Sequence, residues 1–228
     1  MDITSFSEST VTEAAESPLR DRRRRAAREA QLIEASLDCI ATLGLRDTTV
    51  QDLAAKAGMA VGSISQYFSS KEALYTAALR SLAEEFEDHW QSALGCAAPE
   101  PVHRLLALVD AYFDPAICQR RKVAVWFAYW GEVRARPQYR TVCEDFDAAY
   151  GAAIATAARD LLAQEGRAQD LAEPLARLIS ATCQGLWLDF LSAADRPTRA
   201  SLHALARRQL VALFPSQAPT FRAEESAQ

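Results

Sequence analysis

The chain has 228 residues, half of them hydrophobic, only eight Gly, and a formal net charge of −5. That length buries a substantial core in one or two small domains, and the Gly-poor, Ala- and Leu-rich balance predicts an all-α globular fold. The net acidity excludes a generally basic nucleic-acid coat protein, yet residues 20–80 hold ten bases against seven acids, a local positive balance suited to phosphates.

Residues 1–22 begin with a Ser-, Thr- and Glu-rich stretch that reads as a disordered extension. The basic run Arg22–Arg25 follows, as either a solvated helix start or an arm lying along DNA phosphates. A first helix is expected over 26–43, with Ile33, Leu37, Ile40 and Ala41 inward and Gly44 as its stop. Thr49 then stands where an N-cap belongs, with Asp52 three residues on in a variant capping box. Val50, Leu53, Ala54 and Ala57 repeat at i, i+3, i+4 and i+7, one buried face of a short helix that Gly58 ends. Ile64 and Phe68 anchor a second short helix and leave Ser63, Ser65, Gln66 and Tyr67 outward. Helix, Gly-containing turn and polar-faced helix make a helix-turn-helix, whose second helix fits the DNA major groove.

Ser70 caps a long helix to about residue 93. Gly95 and Pro99-Glu100-Pro101 break the chain, and further helices are expected over 101–113, 117–134, 137–165, 171–193 and 197–213, about nine in all. The expected organisation is a three-helix DNA-binding module over 26–86, a ligand-binding and dimerisation domain over 87–214, and a loose tail over 215–228. Five Cys share no ligand spacing, which predicts reduced thiols and no metal or cofactor. No signal peptide is visible and no apolar run approaches the ~20 residues of a membrane span, so the expected location is cytoplasmic.

In the second half, Trp126, Tyr129 and Trp130 share a broad helical face, and Trp187 and Asp189 stand together on a later helix. Large aromatics at helical spacing are commonly core; the functional alternative is a pocket whose rings surround a cation, with Asp189 either a counter-charge or simply facing solvent. Leu175, Leu178, Ile179, Thr182 and Leu186, then Leu202, Leu205, Leu210 and Leu213, form apolar stripes for a homodimer, and Ala181 and Gly185 allow close helix approach. Internal core is the other reading of those stripes.

The run TTVQDLAAKAG, with Gly62, Ile64, Tyr67-Phe68 and Lys71-Glu72, resembles the N-terminal module of TetR-type transcriptional regulators. Members usually carry a capping Ser where this chain has Ala60, and often Tyr where it has Ser65. The resemblance implies a double-stranded DNA partner for Thr49, Ser63, Ser65, Gln66, Tyr67 and Lys71. Among these, Ser63 and Gln66 are expected at base edges and Lys71 at a phosphate. The runs WFAYW, RPQYR and GLWLDFLS resemble the choline-responsive BetI repressors of glycine-betaine synthesis. That likeness implies a dimer on an inverted repeat, released by a choline-like effector; the alternative is a repressor of an efflux or catabolic operon that senses a bulky apolar compound. The three His have no partners at ligand spacing and no catalytic motif is present, which argues against an enzyme.

Overall fold

The computed structural model describes residues 8–223, and among these every regular element is helical. They fall into two compact units, one extending to Ala78 and one beginning at Leu79.

The first unit holds α1 (Glu8–Asp47), α2 (Val50–Ala57), a 3-10 turn (Val61–Gln66) and the start of α3 (Lys71–Cys96). Helix α1 is assigned from Glu8, well ahead of the expected start at residue 26, and residues 1–7 lie outside the described residues. The 8–22 stretch holds Pro18, two Ser and two Thr beside its Glu and Ala residues, so local propensity does not account for the helix there. Gly44 takes φ 83° and breaks the helical path where a stop was expected, leaving one further turn to Asp47. Leu32, Leu37, Ile40, Leu53, Ala54 and Leu74 are buried as the core of this unit.

The second unit holds the rest of α3, α4 (Pro101–Tyr112), α5 (Arg120–Trp130), α6 (Pro137–Gln164), α7 (Ala172–Ser192), α8 (Arg199–Leu213) and α9 (Ala218–Ala223). Helix α5 is shorter than expected at both ends. The Asp114 carboxylate accepts from the Ala116 N–H at 2.7 Å and holds that segment in a turn. Helix α6 packs against α4 and α7, and α7 against α5 and α8. An ionic tie joins α4 to α8: Arg207 grips Asp110 through Nε at 3.0 Å and an η nitrogen at 2.6 Å, with His203 Nε2 2.6 Å from the same carboxylate. The loose tail expected after Pro215 is corrected as far as Ala223. Phe221 is fully buried, α9 packs on α8, and Arg167 lies over the Phe214 ring at 5.2 Å. A single buried aromatic supplies enough apolar area to fix a short helix.

All five Cys are free thiols; burial pushes Cys118 up to about 11 and Cys143 and Cys183 up to about 12, far from the reactive thiolate. Among the described residues no helix is long and apolar enough to cross a membrane, and no group of His, Cys, Asp or Glu is arranged to hold a metal ion.

Candidate DNA-reading module and effector cavity

The helix-turn-helix is built by local rules. The Thr49 N–H donates to Asp52 Oδ2 at 2.8 Å, and the Asp52 N–H donates to Thr49 Oγ1 at 3.2 Å, a reciprocal capping box. Hydrogen bonds from Thr49 hold the Asp52 carboxyl below its ordinary value. Gly58 closes α2 in the left-handed region at φ 61°, and the next N–H, from Met59, donates back to the Ala54 carbonyl at 2.9 Å. The recognition segment is a 3-10 helix rather than an α-helix. Ala60 at its N-cap offers no side-chain acceptor, and Ser63 and Ser65 turn their hydroxyls back to the Ala60 and Gly62 carbonyls at 2.7 and 3.0 Å. Ile64 is buried beneath it, while Ser65 and Gln66 are exposed and Ser63 and Tyr67 half-buried.

Two candidate contacts are engaged within the unit. The Lys71 ammonium donates to the Thr48 carbonyl and lies over the Tyr75 ring at 5.2 Å, which makes it a fastener of the loop before α2. Thr49 spends its hydroxyl on the cap. Beside the recognition segment, Asp21, Arg24, Arg25, Arg28, Gln66 and Tyr67 line one concavity of about 300 Å³, with Arg25 over the Tyr67 ring at 5.6 Å. The basic run is therefore helical, and its continuation places Arg24 and Arg28, one turn apart, next to the reading residues. The run itself was visible in the sequence; its position beside Tyr67 needed the fold.

In the second unit, a cavity of about 1040 Å³ lies between α6 and α7 and reaches Tyr112 of α4. Tyr112, Phe146 and Tyr150 are buried and wall it. The Phe146 and Tyr150 rings are within 4° of parallel at 6.4 Å, and the Tyr150 hydroxyl donates to the Leu108 carbonyl at 2.8 Å. Asp147 joins them. The residue is exposed, yet its carboxyl group is recessed enough for desolvation to push it up to about 6. The Gln184 amide approaches that carboxylate at 3.5 Å, and Arg177 stands further along α7 on the same cavity.

None of Trp126, Tyr129, Trp130, Trp187 and Asp189 lines this cavity. Trp126 and Trp187 are buried one layer behind its wall: Trp126 packs on Phe146 at 5.1 Å, and Trp187 packs on Tyr112 at 4.2 Å while its indole N–H donates to the Tyr112 carbonyl. Tyr129 meets Tyr139 edge-on at 4.9 Å, Trp130 lies half-buried against Trp126 and Phe127, and Asp189 is exposed. Trp126 and Tyr129 of the α5 run are buried and Phe127 and Trp130 half-buried, while the rings that line the cavity come from α4 and α6. Phe146 and Tyr150 show the same i, i+4 spacing as Trp126 and Trp130, with an acid beside them, so a signal existed in the sequence.

Comparison with known proteins now decides the family. Residues 101–215 match the family model of the BetI-type transcriptional repressor C-terminal domain, and residues 32–78 match the bacterial regulatory proteins of the tetR family. The chain belongs to the TetR family. It is 29% identical over 192 residues to the HTH-type transcriptional regulator BetI of Escherichia coli O17:K52:H18, covering 83% of this chain and 95% of that protein. A candidate transcriptional regulator of Pseudomonas aeruginosa PAO1 shares the fold with a TM-score of 0.74 and 26% identity, over 86% of this chain and 95% of that one. A regulator from Saccharomonospora viridis, crystallised in complex with choline, aligns with a TM-score of 0.72 at 24% identity, over 82% and 96% of the two chains, and shows the shared fold. This TetR-family chain is a transcriptional regulator with a BetI-type C-terminal domain, not an enzyme.

Proposed function

We propose that this chain is a homodimeric repressor that binds an inverted-repeat operator and is released by a choline-like quaternary cation held in the α6–α7 cavity. The observation that carries the effector assignment is the cavity itself: three aromatic walls and one recessed carboxylate facing the same space. A quaternary ammonium cannot donate hydrogen bonds, so aromatic faces and a fixed negative charge are its natural hosts, at about 0.5–2 kcal/mol per ring contact. The choline-bound Saccharomonospora viridis regulator and the Escherichia coli BetI relative favour the same class. The proposed pocket residues are Tyr112, Phe146, Asp147 and Tyr150, with Trp126 and Trp187 as backing.

On the DNA side, Ser63 and Gln66 are proposed at base edges. Arg24 and Arg28 take the phosphate role first given to Lys71, because the Lys71 ammonium is committed to Thr48. Helix α3 supplies residues to both units. A ligand-dependent shift of that helix is the proposed route by which the two recognition segments of a dimer lose their spacing of about 34–36 Å. A difference of about 1–3 kcal/mol in ligand affinity between the two states gives useful control.

The test compares choline with 3,3-dimethylbutanol, its uncharged isostere, in a tryptophan fluorescence titration and a gel shift on DNA flanking the gene. Choline is expected to change the emission, because Trp126 and Trp187 abut the cavity wall, and to release the operator; the isostere should do far less. Equal responses to both would instead favour a regulator that senses bulky apolar compounds.

A further inference from the structure

Helix α7 turns Glu173, Arg177, Ala181 and Gln184 toward the cavity, spaced along a single helical face. Gln184 marks the carboxylate end, 3.5 Å from Asp147. Arg177 lies seven residues earlier, which is roughly 10 Å along the helix axis, and its long stem can cover part of that distance. Glu173, one turn before Arg177, is ion-paired to Arg159 at 3.0 Å instead. Arg177 has no ion pair or hydrogen bond among the described residues. The cavity therefore carries the Asp147 carboxylate at one end and the Arg177 guanidinium at the other, where the neighbouring Glu173 is engaged by Arg159. Its volume of about 1040 Å³ also reaches the top of the range that drug-sized ligands fill, more than a trimethylammonium alcohol occupies.

We propose that the effector is a zwitterion: a quaternary ammonium held between the aromatic walls and Asp147, joined by a short chain to a carboxylate or phosphate that Arg177 binds. The inference rests on the cation reading above and adds the anion end. A guanidinium presents paired donors that match a carboxylate or a phosphate, and a charge-assisted contact of that kind adds substantially to affinity even where water reaches it.

The experiment measures binding of choline, γ-trimethylaminobutyrate and phosphocholine to the full chain by calorimetry, for the unchanged protein, Arg177→Gln and Arg177→Lys. At least one zwitterion should bind about tenfold or more tightly than choline to the unchanged protein. Arg177→Gln should bring that ratio to near one, and Arg177→Lys should keep part of it. The two zwitterions separate a carboxylate site from a phosphate site. Arg177 is exposed, so the Gln variant is expected to fold, and its melting temperature checks this. If choline binds but neither zwitterion exceeds it, or if Arg177→Gln leaves the ratio unchanged, the anion end is refuted and the cation reading stands. If none of the three binds, the cation reading fails and this inference with it.

Discussion

Asp147 is the residue on which the most measurable consequences converge. Desolvation raises its folded pKa to about 6 from an ordinary value of 3.8, so the fold holds this proton more tightly than the unfolded chain does. The sign follows from linkage: between about pH 4 and pH 6 the native state binds more protons, and stability falls as pH rises through that window, then levels off. Asp147→Asn should therefore raise the melting temperature near pH 7.5 by about 2–4 °C, as ~1 kcal/mol would in a chain of this size once solvent screening is discounted. The gain should vanish near pH 4, and a uniform gain at every pH would show that the carboxylate is not desolvated. Binding of a quaternary cation favours the ionised carboxylate, so choline affinity should fall as pH drops through about 6, and the Asn variant should lose that dependence. Lys71 is read differently at this scale from what its sequence position suggested. Lys71→Met should cost about 1–2 kcal/mol in urea unfolding, because the buried Thr48 keeps only the long 3.4 Å contact from Tyr75 for its carbonyl. The salt dependence of DNA binding should stay unchanged; a slope smaller by about 0.9 would return Lys71 to the phosphate set.

Among the elements, α2 was the most legible. Its cap, its inward face and its Gly58 stop are all encoded within ten consecutive residues, Thr49 to Gly58, and the structure has each of them. Thr49→Ala should cost about 1 kcal/mol, read as a lower urea midpoint, since it removes the Oγ1 acceptor of the Asp52 N–H while the residue-49 N–H keeps its bond to the Asp52 carboxylate. The recognition segment was legible in place but not in type, because an uncapped start at Ala60 and two back-bonding serines favour 3-10 geometry. Helix α1 showed its core face in the sequence through Leu37 and Ile40, both buried. The double variant Arg24→Ala, Arg28→Ala should lower the salt slope of DNA binding by about 1.8, to a similar degree on the operator and on random DNA. Gln66→Ala should weaken the operator more than random DNA. If the double variant leaves the slope unchanged, α1 does not lie against phosphates.

At the scale of the whole molecule, the apolar stripes assigned to dimerisation divide into buried, half-buried and exposed residues, with Leu175, Thr182, Leu186 and Leu213 half-buried. Ile179, Leu202 and Leu210 are core, whereas Leu178 and Leu205 are about half exposed at 48% and 46%, as are Leu171 and Leu188 at 41% and 46%. Gly185 is exposed as well, and a Cβ added there meets nothing within 4 Å. Gly185→Leu should therefore leave the fold of one chain intact while obstructing a helix from a second copy. Sedimentation should show a shift toward monomer with loss of operator affinity, and a fully dimeric, DNA-competent variant would place the subunit contact elsewhere. The sequence by itself determined the all-helical class and the helix-turn-helix, because caps, turns and helical periodicity act between residues a few positions apart. Tertiary structure alone decided which aromatics line the cavity and which pack behind it, and where each cation stands. Phe146 and Trp126 carry similar local patterns, and only the packing of α6 against α4 and α7 leaves the space beside one and fills it beside the other. Lys71 and Arg28 are alike as charges. The Thr48 carbonyl, twenty-three residues before Lys71, takes the one, while the other donates to Gln31 and lies beside the reading face.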